Sequence, residues 1–363
     1  MEKNDIILTY GSDPVAMTRA LLEAIDIESL IPDKNTSIAL KPNLVVAVTA
    51  DSGATTHPAI VKEILSHLRE KGYSRIKIVE SAWVGDSTKE GFRVNGYEAI
   101  SKTFEVPLVD VKDDEYRKLT SNGITMEISK TILDTDFLIN LPVLKGHCQT
   151  AMTCALKNMK GCLSDRSKRM FHTLGLHKPI AALNAIRCAD LVIVDSLNGD
   201  LDFEEGGNPV ETDRMFATRD SVLCDSFGAQ LLGFELEDIP YIQLAEKMGV
   251  GSTDLTRARF IQLNEPANNN EARPSGEVAY LAKHTLPKNA CSACYGNLIH
   301  ALKRLDEVDR LGNLETQICI GQGYKGEADP NKIGVGVCTK GLGKSLTGCP
   351  PKAIDMIQFI KDL

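Results

Sequence analysis

Short β-rich runs alternate with helical patterns along the first half of the chain, and this alternation constrains the fold more than any other feature. Residues 37–46 (SIALKPNLVV) predict a buried strand, and residues 58–72 predict an amphipathic helix that ends at Gly72. The same patterns predict strands at residues 75–81, 106–111, 136–144 and 191–197 and a helix at 96–104. Strands and helices that take turns form βαβ units, so we predict an α/β fold with mostly parallel sheets flanked by helices.

The chain has 363 residues, which is enough for two or three domains. The polar stretch NEPANNNEARPSGE cannot form a core and is typical of a linker. After it come a helix that begins near Cys291, two short strands and a last helix. We therefore predict an α/β body at residues 1–263, a linker at 264–290 and a small C-terminal α/β module at 291–363.

Composition limits the partners and the compartment. The net charge of -8 argues against binding to nucleic acid or to an anionic membrane, because both need surplus Lys and Arg. The N-terminus has no apolar run typical of a signal peptide, and no stretch approaches the roughly twenty apolar residues of a spanning helix. We therefore predict a cytoplasmic protein without a membrane partner. Ten cysteines in that reducing compartment indicate metal ligation or buried thiols rather than disulfides.

Four cysteines of the C-terminal module are the predicted metal ligands. Cys291 and Cys294 lie at the start of a helix, and Cys349 is followed by two prolines, which often follow a ligating cysteine in cluster proteins. Cys338 ends a short strand, and strand ends converge at one edge of an α/β sheet. Cys319, on the neighbouring strand, is an alternative to Cys338.

A four-cysteine site suits either a 4Fe–4S cluster or zinc. The 43 residues between Cys294 and Cys338, and the absence of paired zinc knuckles, favour the cluster. A third interpretation is that these are buried thiols of a small core. The remaining cysteines are predicted to be small interior hydrophobic residues: Cys148, Cys154, Cys162, Cys188 and Cys224.

A basic segment with three histidines follows a predicted strand, where open α/β sheets bind their ligands. Between positions 145 and 177 only Asp165 opposes its positive charges. This pattern predicts a pocket for a carboxylate or phosphate, or a solvated basic helix with incidental histidines. In the first case the anion contacts are Lys145, Lys157 and Asn158, and the proton carriers are His147 or His172. Residues 151–159 are predicted to be helical.

Other polar residues stand at predicted strand ends. Lys41 lies inside an apolar strand, where it needs a partner, and Asn43 follows it. His57 precedes a helix, and Asp195 closes another strand. Each is more often a cap or a turn residue, but together they predict a substrate site at one sheet edge. The chain has no GxGxxG, Walker or GxSxG motif, so nucleotide and hydrolase mechanisms have no support.

Several motifs together resemble the family named domain of unknown function 362. They are KPNLV, TTHP, NLPVLKGHCQTAMTCALKNMKGC, IVDSLNG and DSVLCDSFGAQLLG, and they span roughly residues 37–260. The resemblance implies a link to iron–sulfur proteins, commonly through a fused ferredoxin-type segment. It also implies site residues at matching positions, namely Lys41, Asn43, His57, Lys145, His147, Lys157, Asn158, His172 and Asp195. The usual Cys-x2-Cys-x2-Cys-x3-Cys-Pro run is missing here, and the four dispersed cysteines resemble a variant extension.

Three functions remain open from the sequence. The first is an iron–sulfur protein that performs redox or cluster-assisted conversion of a small anionic substrate, with an electron-transfer partner. The second is a non-redox isomerase or lyase that acts on a carboxylated substrate and carries a structural zinc. The third is a metal-handling or assembly partner without catalysis.

Overall fold

The computed structural model describes residues 1–267, 272–314 and 316–363. Its strands, in chain order, are β1 (Asp5–Tyr10), β2 (Ile38–Pro42), β3 (Ile76–Glu80), β4 (Leu108–Asp110), β5 (Tyr116–Ser121), β6 (Ile124–Ser129), β7 (Phe137–Leu141), β8 (Lys145–His147), β9 (Ala151–Thr153), β10 (Leu191–Ser196), β11 (Arg214–Thr218), β12 (Arg259–Gln262), β13 (Thr285–Pro287), β14 (Ile318–Ile320), β15 (Asp329–Val335) and β16 (Leu342–Leu346).

Its α-helices, in chain order, are α1 (Pro14–Ile25), α2 (Ile27–Leu30), α3 (Pro58–Glu70), α4 (Thr88–Val94), α5 (Tyr97–Phe104), α6 (Lys130–Leu133), α7 (Ala155–Asn158), α8 (Asp165–Thr173), α9 (His177–Ile186), α10 (Ser221–Leu232), α11 (Pro240–Lys247), α12 (Glu277–Ala282), α13 (Ser292–Asp306) and α14 (Ala353–Lys361). The predicted strands and helices of the first half begin and end within a few residues of β2, α3, β3, α5, β4, β7 and β10.

The largest sheet has eight strands in the order β12-β1-β11-β10-β7-β2-β3-β4. The five strands from β10 to β4 run parallel, and β12 runs parallel to β1. Only β11, within the described residues, runs antiparallel to its neighbours in this sheet, which are β1 and β10. Helices flank the sheet, so the predicted mostly parallel α/β fold is confirmed.

Helix α3 shows how the sequence forms the core. Proline at its first position suits a helix start, because that N–H has no partner inside the helix. Its buried face consists largely of residues that are 0% exposed, namely Ile60, Val61, Ile64, Leu65 and Leu68. Each buried aliphatic side chain contributes about 1.5–3 kcal/mol of hydrophobic stabilisation. The helical apolar stripe therefore anchors α3 to the core cluster that also contains residues of β2, β3 and β7.

The order of the parallel strands reverses between β2 and β7. From β2 the chain proceeds to β3 and β4 on one side, and then returns to form β7 on the other side of β2. At such a switch point the connections leave in opposite directions, so a crevice opens outside the carboxyl ends of the two strands. This crevice is the position where an open α/β sheet binds its ligands.

The predicted helix over residues 151–159 is wrong for its first half. Residues Ala151–Thr153 form β9, which pairs antiparallel with β8 at Lys145–His147. The helix α7 covers only Ala155–Asn158. Ala151 has a φ of 62°, in the left-handed region, so it cannot begin a right-handed helix. The hairpin pairing with β8, only four to eight positions earlier, replaces the predicted helix over these residues.

The chain divides into two compact units. The body comprises Met1–Lys168 and His177–Arg273, and the C-terminal unit comprises Arg169–Leu176 and Pro274–Leu363. The C-terminal unit has a parallel four-stranded sheet in the order β13-β14-β15-β16. Helix α12 and strand β13 lie in the stretch predicted as a linker, and residues 268–271 of that stretch lie outside the described residues. Within the described ranges no helix is long and apolar enough to span a membrane.

Candidate functional site

The switch point of the body is held together by two asparagine side chains. Asn140 lies on β7, and its Oδ1 accepts a hydrogen bond of 2.7 Å from Asn158 Nδ2. The same Asn158 amide lies 3.5 Å from the carbonyl oxygen of Pro42 on β2. Asn140 Nδ2 in turn donates to the carbonyl of Ala155 at 2.9 Å. Asn158, a predicted anion contact, therefore bridges the two strands that flank the crevice.

Lys41 and Glu80 form a fully buried ion pair at the ends of β2 and β3. Lys41 is 0% exposed and Glu80 is 3% exposed, and Lys41 Nζ donates to Glu80 Oε2. Burial raises the pKa of Glu80, and the charge of Lys41 opposes that rise. A Cβ at Gly161 would lie 2.6 Å from Lys41 Nζ, so only glycine fits beside the pair. The partner that the sequence requires for Lys41 is thus the carboxylate closing the next strand.

His57 and Asp195 form a second pair at the same edge of the sheet. Asp195 Oδ2 accepts hydrogen bonds from the His57 backbone N–H at 2.9 Å and contacts His57 Nδ1 at 2.8 Å. Burial lowers the pKa of His57, but the hydrogen bond and negative charge of Asp195 outweigh it, so the pKa is raised. Asn43 is hydrogen-bonded to the residue before His57, since its backbone N–H donates to Thr56 Oγ1 at 2.8 Å. The histidine keeps a proton more readily than an exposed imidazole.

Lys145 is buried, and its amine hydrogen-bonds backbone carbonyls rather than facing an open pocket. Its Nζ donates to the carbonyls of Ala54 and Glu204, the latter at 2.7 Å. Burial lowers the pKa of Lys145 to about 8, against the opposing charges of neighbouring carboxylates. An amine with this pKa holds or releases a proton near neutral pH, although its hydrogen bonds first fix the loop around residue 204.

His147 is paired with a carboxylate that the sequence analysis did not single out. His147 Nε2 lies 3.4 Å from Glu204 Oε1, and both side chains are buried. Glu204 Oε2 also accepts the N–H of Cys148 at 3.0 Å. Next to it, burial and the charge of Glu204 raise the pKa of Glu205 to about 8. The signal for these residues was the acidic loop at 198–213, but no local pattern connects that loop to His147.

The remaining predicted residues of the basic segment, Lys157 and His172, belong to different compact units. Lys157 Nζ donates to Thr153 Oγ1 at 3.2 Å, and burial lowers the pKa of Lys157 to about 7. His172 lies on α8, in the portion that belongs to the C-terminal unit, whereas Lys145 and His147 belong to the body. The role of His172 as a proton carrier stays a prediction.

In the C-terminal unit the four predicted cysteine ligands line one cavity of about 100 Å³. Cys291 is the N-terminal cap of α13, and Cys294 lies in the first turn of that helix. Cys338 follows the end of β15 and Cys349 follows β16. Three of these side chains are partly buried, and that of Cys349 is exposed. The structure therefore brings together thiols that are up to 58 positions apart in the chain.

Backbone hydrogen bonds hold the two loops that carry Cys338 and Cys349. The N–H of Gly336 donates to the carbonyl of Leu346 at 2.8 Å, and the N–H of Val337 donates to the carbonyl of Gly348 at 2.9 Å. Gly336 has a φ of 95°, a conformation that side-chain-bearing residues rarely adopt. Gly336 therefore allows the turn that presents Cys338 to the cavity.

The surroundings of the cavity suit an anionic group. The N-terminus of α13 carries a partial positive charge beside Cys291 and Cys294. Arg169 and Lys325 also line the cavity, and Gln322 Nε2 donates to Cys291 Sγ at 3.5 Å. Burial raises the pKa of Cys294 to about 12, and the three neighbouring cysteines add to that rise. Four thiolates can be held together here only with a compensating cation or cluster.

A metal ion sets how closely its sulfur ligands must approach one another. A tetrahedral zinc with Zn–S bonds near 2.3 Å needs its sulfurs within about 3.8 Å of one another. In the described part of the chain, one set of three metal-ligating side chains brings all its donor atoms within 4.8 Å, and it consists of Cys154, Cys224 and Asp225 in the body. Among the described residues the four cavity cysteines do not form such a close group.

Cys319 does not line the cavity. It is 0% exposed and packs with Tyr324 and Leu342 in a small core cluster. Side chains alternate along a strand, and Ile320 on the same strand lines the cavity, so Cys319 points to the other face of β14. The alternative in which Cys319 replaces Cys338 therefore lacks geometric support.

Fold and site together define an α/β protein with a polar switch-point crevice and a separate four-cysteine cavity. The family model described as domain of unknown function (DUF362) matches residues 38–230. The chain belongs to this family, as the sequence motifs predicted.

The comparisons also give similar individual proteins. The "Thylakoid-associated protein sll1697" of Synechocystis sp. is 24% identical over 257 residues, which cover 66% of this chain and 76% of that protein. The lactate racemase apoprotein from Thermoanaerobacterium thermosaccharolyticum has a TM-score of 0.44 at 14% identity and 62% coverage of this chain. A structural-genomics protein from Thermotoga maritima has a TM-score of 0.38 at 11% identity and 66% coverage. The chain spans 56% and 60% of these two structures.

Proposed function

We propose that the protein binds a 4Fe–4S cluster through Cys291, Cys294, Cys338 and Cys349 and uses it in redox or cluster-assisted conversion of a small anionic substrate. The observation that carries the proposal is the convergence of these four thiols on one cavity. The 43 residues between Cys294 and Cys338, and the absence of paired zinc knuckles, support a cluster over a single zinc ion. A bound cluster supplies one-electron transfer, or a Lewis-acidic iron if one ligand is displaced.

The residues around the cavity have definable tasks in this proposal. Cys294 and Cys291 gain from the positive end of α13, which favours their thiolate forms. Arg169 and Lys325 offset the negative charge of a four-thiolate cluster. Gln322 donates a hydrogen bond to the sulfur of Cys291, and such bonds raise the reduction potential of a cluster.

The body contributes the substrate site in this proposal. At the β2/β7 switch point Asn158 hydrogen-bonds residues of both strands, which supports a preorganised crevice there. Lys157 provides the positive charge for a carboxylate or phosphate, and His57, with Asp195 behind it, holds a proton at Nδ1. An anion beside Lys157 would raise the lowered pKa of that amine, so binding is expected to take up a proton near pH 7.

The cluster is tested by anaerobic purification followed by visible absorption, iron and sulfide analysis. Wild type is expected to be brown with about four irons and four sulfides per chain. The variants Cys294→Ser and Cys349→Ser are expected to lose most of that iron. Colourless protein with one zinc and no sulfide would contradict the proposal.

Two matched variants test whether replacing a cysteine outside the cavity also lowers the iron content. Cys319→Ser removes a buried thiol of the same unit that does not line the cavity. Cys224→Ser disrupts the close Cys154, Cys224 and Asp225 group of the body. Both are expected to keep the iron and sulfide of wild type. Loss of iron in Cys224→Ser with retention in Cys294→Ser would assign the metal to the body instead.

The anion site is tested by calorimetric titration of inorganic phosphate and acetate in two buffers of different ionisation enthalpy. A buffer-dependent heat reports proton uptake, which is expected in wild type and absent in Lys157→Met. Lys118→Met, which removes an amine that is 67% exposed on β5, serves as the control. Equal binding by wild type and Lys157→Met would remove Lys157 from the site.

A further inference from the structure

The body has a second cavity, of about 560 Å³, on the edge of its large sheet. Its volume lies in the range of about 300–1,000 Å³ that is typical of small-molecule sites. It lies beside the edge strand β12, which β1, β11 and β10 separate from β7 and the switch point. Its lining consists of Arg214, Phe227, Gln230, Leu231, Leu255, Thr256, Phe260 and Arg273.

The charged residues that line this cavity are both arginines. No aspartate or glutamate is among the lining residues, although the whole chain carries a net charge of -8. Positive charge concentrated in this way favours an anionic ligand. Two guanidinium groups match the planar oxygen pairs of a carboxylate or phosphate.

The two arginines differ in how far the fold encloses them, since Arg214 is partly buried and Arg273 is exposed. Arg214 is partly buried on β11, where burial lowers the pKa of its guanidinium and Tyr10 opposes that shift. Its Nε is buried and has no hydrogen-bond partner among the described residues. Arg273 packs over Gly233, where an added Cβ would lie 2.8 Å from Arg273 Nη1. A buried donor without an acceptor is costly, and an anion oxygen would satisfy it.

The rest of the lining is mostly apolar, with Phe227, Leu231, Leu255 and Phe260 beside the polar Gln230 and Thr256. The rings of Phe227 and Phe260 meet edge to face with centroids 5.3 Å apart. Phe227 makes a similar contact with Phe216 in the core at 5.1 Å, which fixes its orientation. Phe260 is 47% exposed, which leaves much of its ring available at the cavity. Flat apolar groups stack favourably on such rings.

We propose that this cavity binds a small amphiphilic anion, with its carboxylate or phosphate between Arg214 and Arg273 and its flat apolar part against Phe227 and Phe260. The site shares no residue with the switch-point crevice or the cysteine cavity. It is therefore a separate ligand site, and it does not depend on the proposed cluster.

The test is a calorimetric or NMR titration of the purified full chain with four probes. Phenyl phosphate and benzoate carry both features of the expected ligand and distinguish phosphate from carboxylate. Inorganic phosphate lacks the ring, and benzyl alcohol lacks the charge. At least one of the two aromatic anions is expected to bind about tenfold more tightly than either single-feature probe. Wild type that binds neither aromatic anion at millimolar concentration would overturn the proposal.

Variants localise the binding. Arg214→Gln and Arg273→Gln are each expected to weaken the aromatic anion about tenfold or more, because each removes a charge-assisted contact. Phe260→Ala is expected to weaken the aromatic anions but not inorganic phosphate. Arg257→Gln, whose side chain is 86% exposed and outside the lining, is the matched control. Binding that survives both arginine substitutions within twofold, with unchanged circular dichroism, would also overturn the proposal.

Discussion

The buried charges of the body and the thiols of the C-terminal unit are stabilised in different ways. At the switch point the chain provides its own counter-charge, since Lys41 pairs with Glu80 and His57 pairs with Asp195. In the C-terminal unit four thiols share one cavity, and burial raises the pKa of Cys294 to about 12. Ionising all four would require positive charge from outside the cysteine set.

This difference predicts that the two regions respond differently when a ligand or metal binds. Paired charges and amide bridges preorganise the crevice, so its geometry is complete before any ligand arrives. A cysteine site that gains its charge balance on loading couples metal binding to local stability. Ligand binding is therefore expected to change the body little, and cluster loading is expected to stabilise the C-terminal unit.

The variant Lys41→Met is the strongest test of whether the body provides the counter-charges for its own buried groups. It leaves the carboxylate of Glu80 buried without its partner, so the free energy of unfolding is expected to fall by about 3–5 kcal/mol. Urea denaturation followed by circular dichroism measures the change. The double variant Lys41→Met/Glu80→Leu is expected to recover most of the loss, because it removes the uncompensated charge. A single variant as stable as wild type would show that the pair does not hold the strand ends.

Asp195→Asn tests the second pair and is expected to have a smaller effect. The neutral amide weakens two hydrogen bonds to His57, so stability is expected to fall by about 1–3 kcal/mol. The raised pKa of His57 stabilises the fold below the unfolded value of 6.5 and loses that contribution as pH rises through the folded value. NMR titration of the imidazole is expected to show a lower pKa in the variant. An unchanged His57 pKa would contradict the pairing.

Much of the fold was predictable because hydrophobic periodicity is a local property. The apolar stripe of α3 and the short β-rich runs at β2, β3, β7 and β10 were enough to predict a mostly parallel α/β protein. The antiparallel strand β11 and the β8–β9 ribbon were not predicted. Strand β11 depends on pairing with the distant β1 and β10, whereas the β8–β9 hairpin is local and depends on a turn in which Ala151 takes a left-handed conformation.

The sequence singled out candidate site residues one by one, but it did not indicate their side-chain pairings. Lys41 and Asp195 were marked by their places at strand ends, and parallel strands bring such ends to one edge. Glu204 was missed because it lies 57 positions after His147 in an irregular loop. The side-chain partners that turn Asn158 into a bridge were equally invisible, since hydrogen-bond partners follow from tertiary packing.

Lys168 tests whether a buried charge without a carboxylate in direct hydrogen-bond contact behaves differently from the paired ones. Its Nζ donates to Ser81 Oγ and to the carbonyl of Ala82 at 2.7 Å, and burial lowers its pKa to about 7. Between about pH 7 and 10.5 the unfolded chain binds this proton and the folded chain does not, so stability rises with pH by up to about 1.4 kcal/mol per unit. Lys168→Met is expected to lower the measured slope by this contribution, whereas the exposed Lys118→Met is expected to leave the slope unchanged. Urea denaturation at several pH values measures the slope, and an unchanged slope in Lys168→Met would contradict the interpretation.

The smallest expected effect distinguishes two kinds of thiol within the C-terminal unit. Cys319→Ser places a hydroxyl in the cluster with Tyr324 and Leu342, where the Tyr324 side chain can hydrogen-bond it. Stability is expected to fall by about 1 kcal/mol, with iron content unchanged, because this thiol acts as a small hydrophobic residue. Cys294→Ser is expected to do the reverse in the apoprotein, with little change in unfolding but a loss of metal loading. If the two variants lose iron equally, lining the cavity does not distinguish ligand thiols from core thiols. That result would contradict the proposed difference between the two regions.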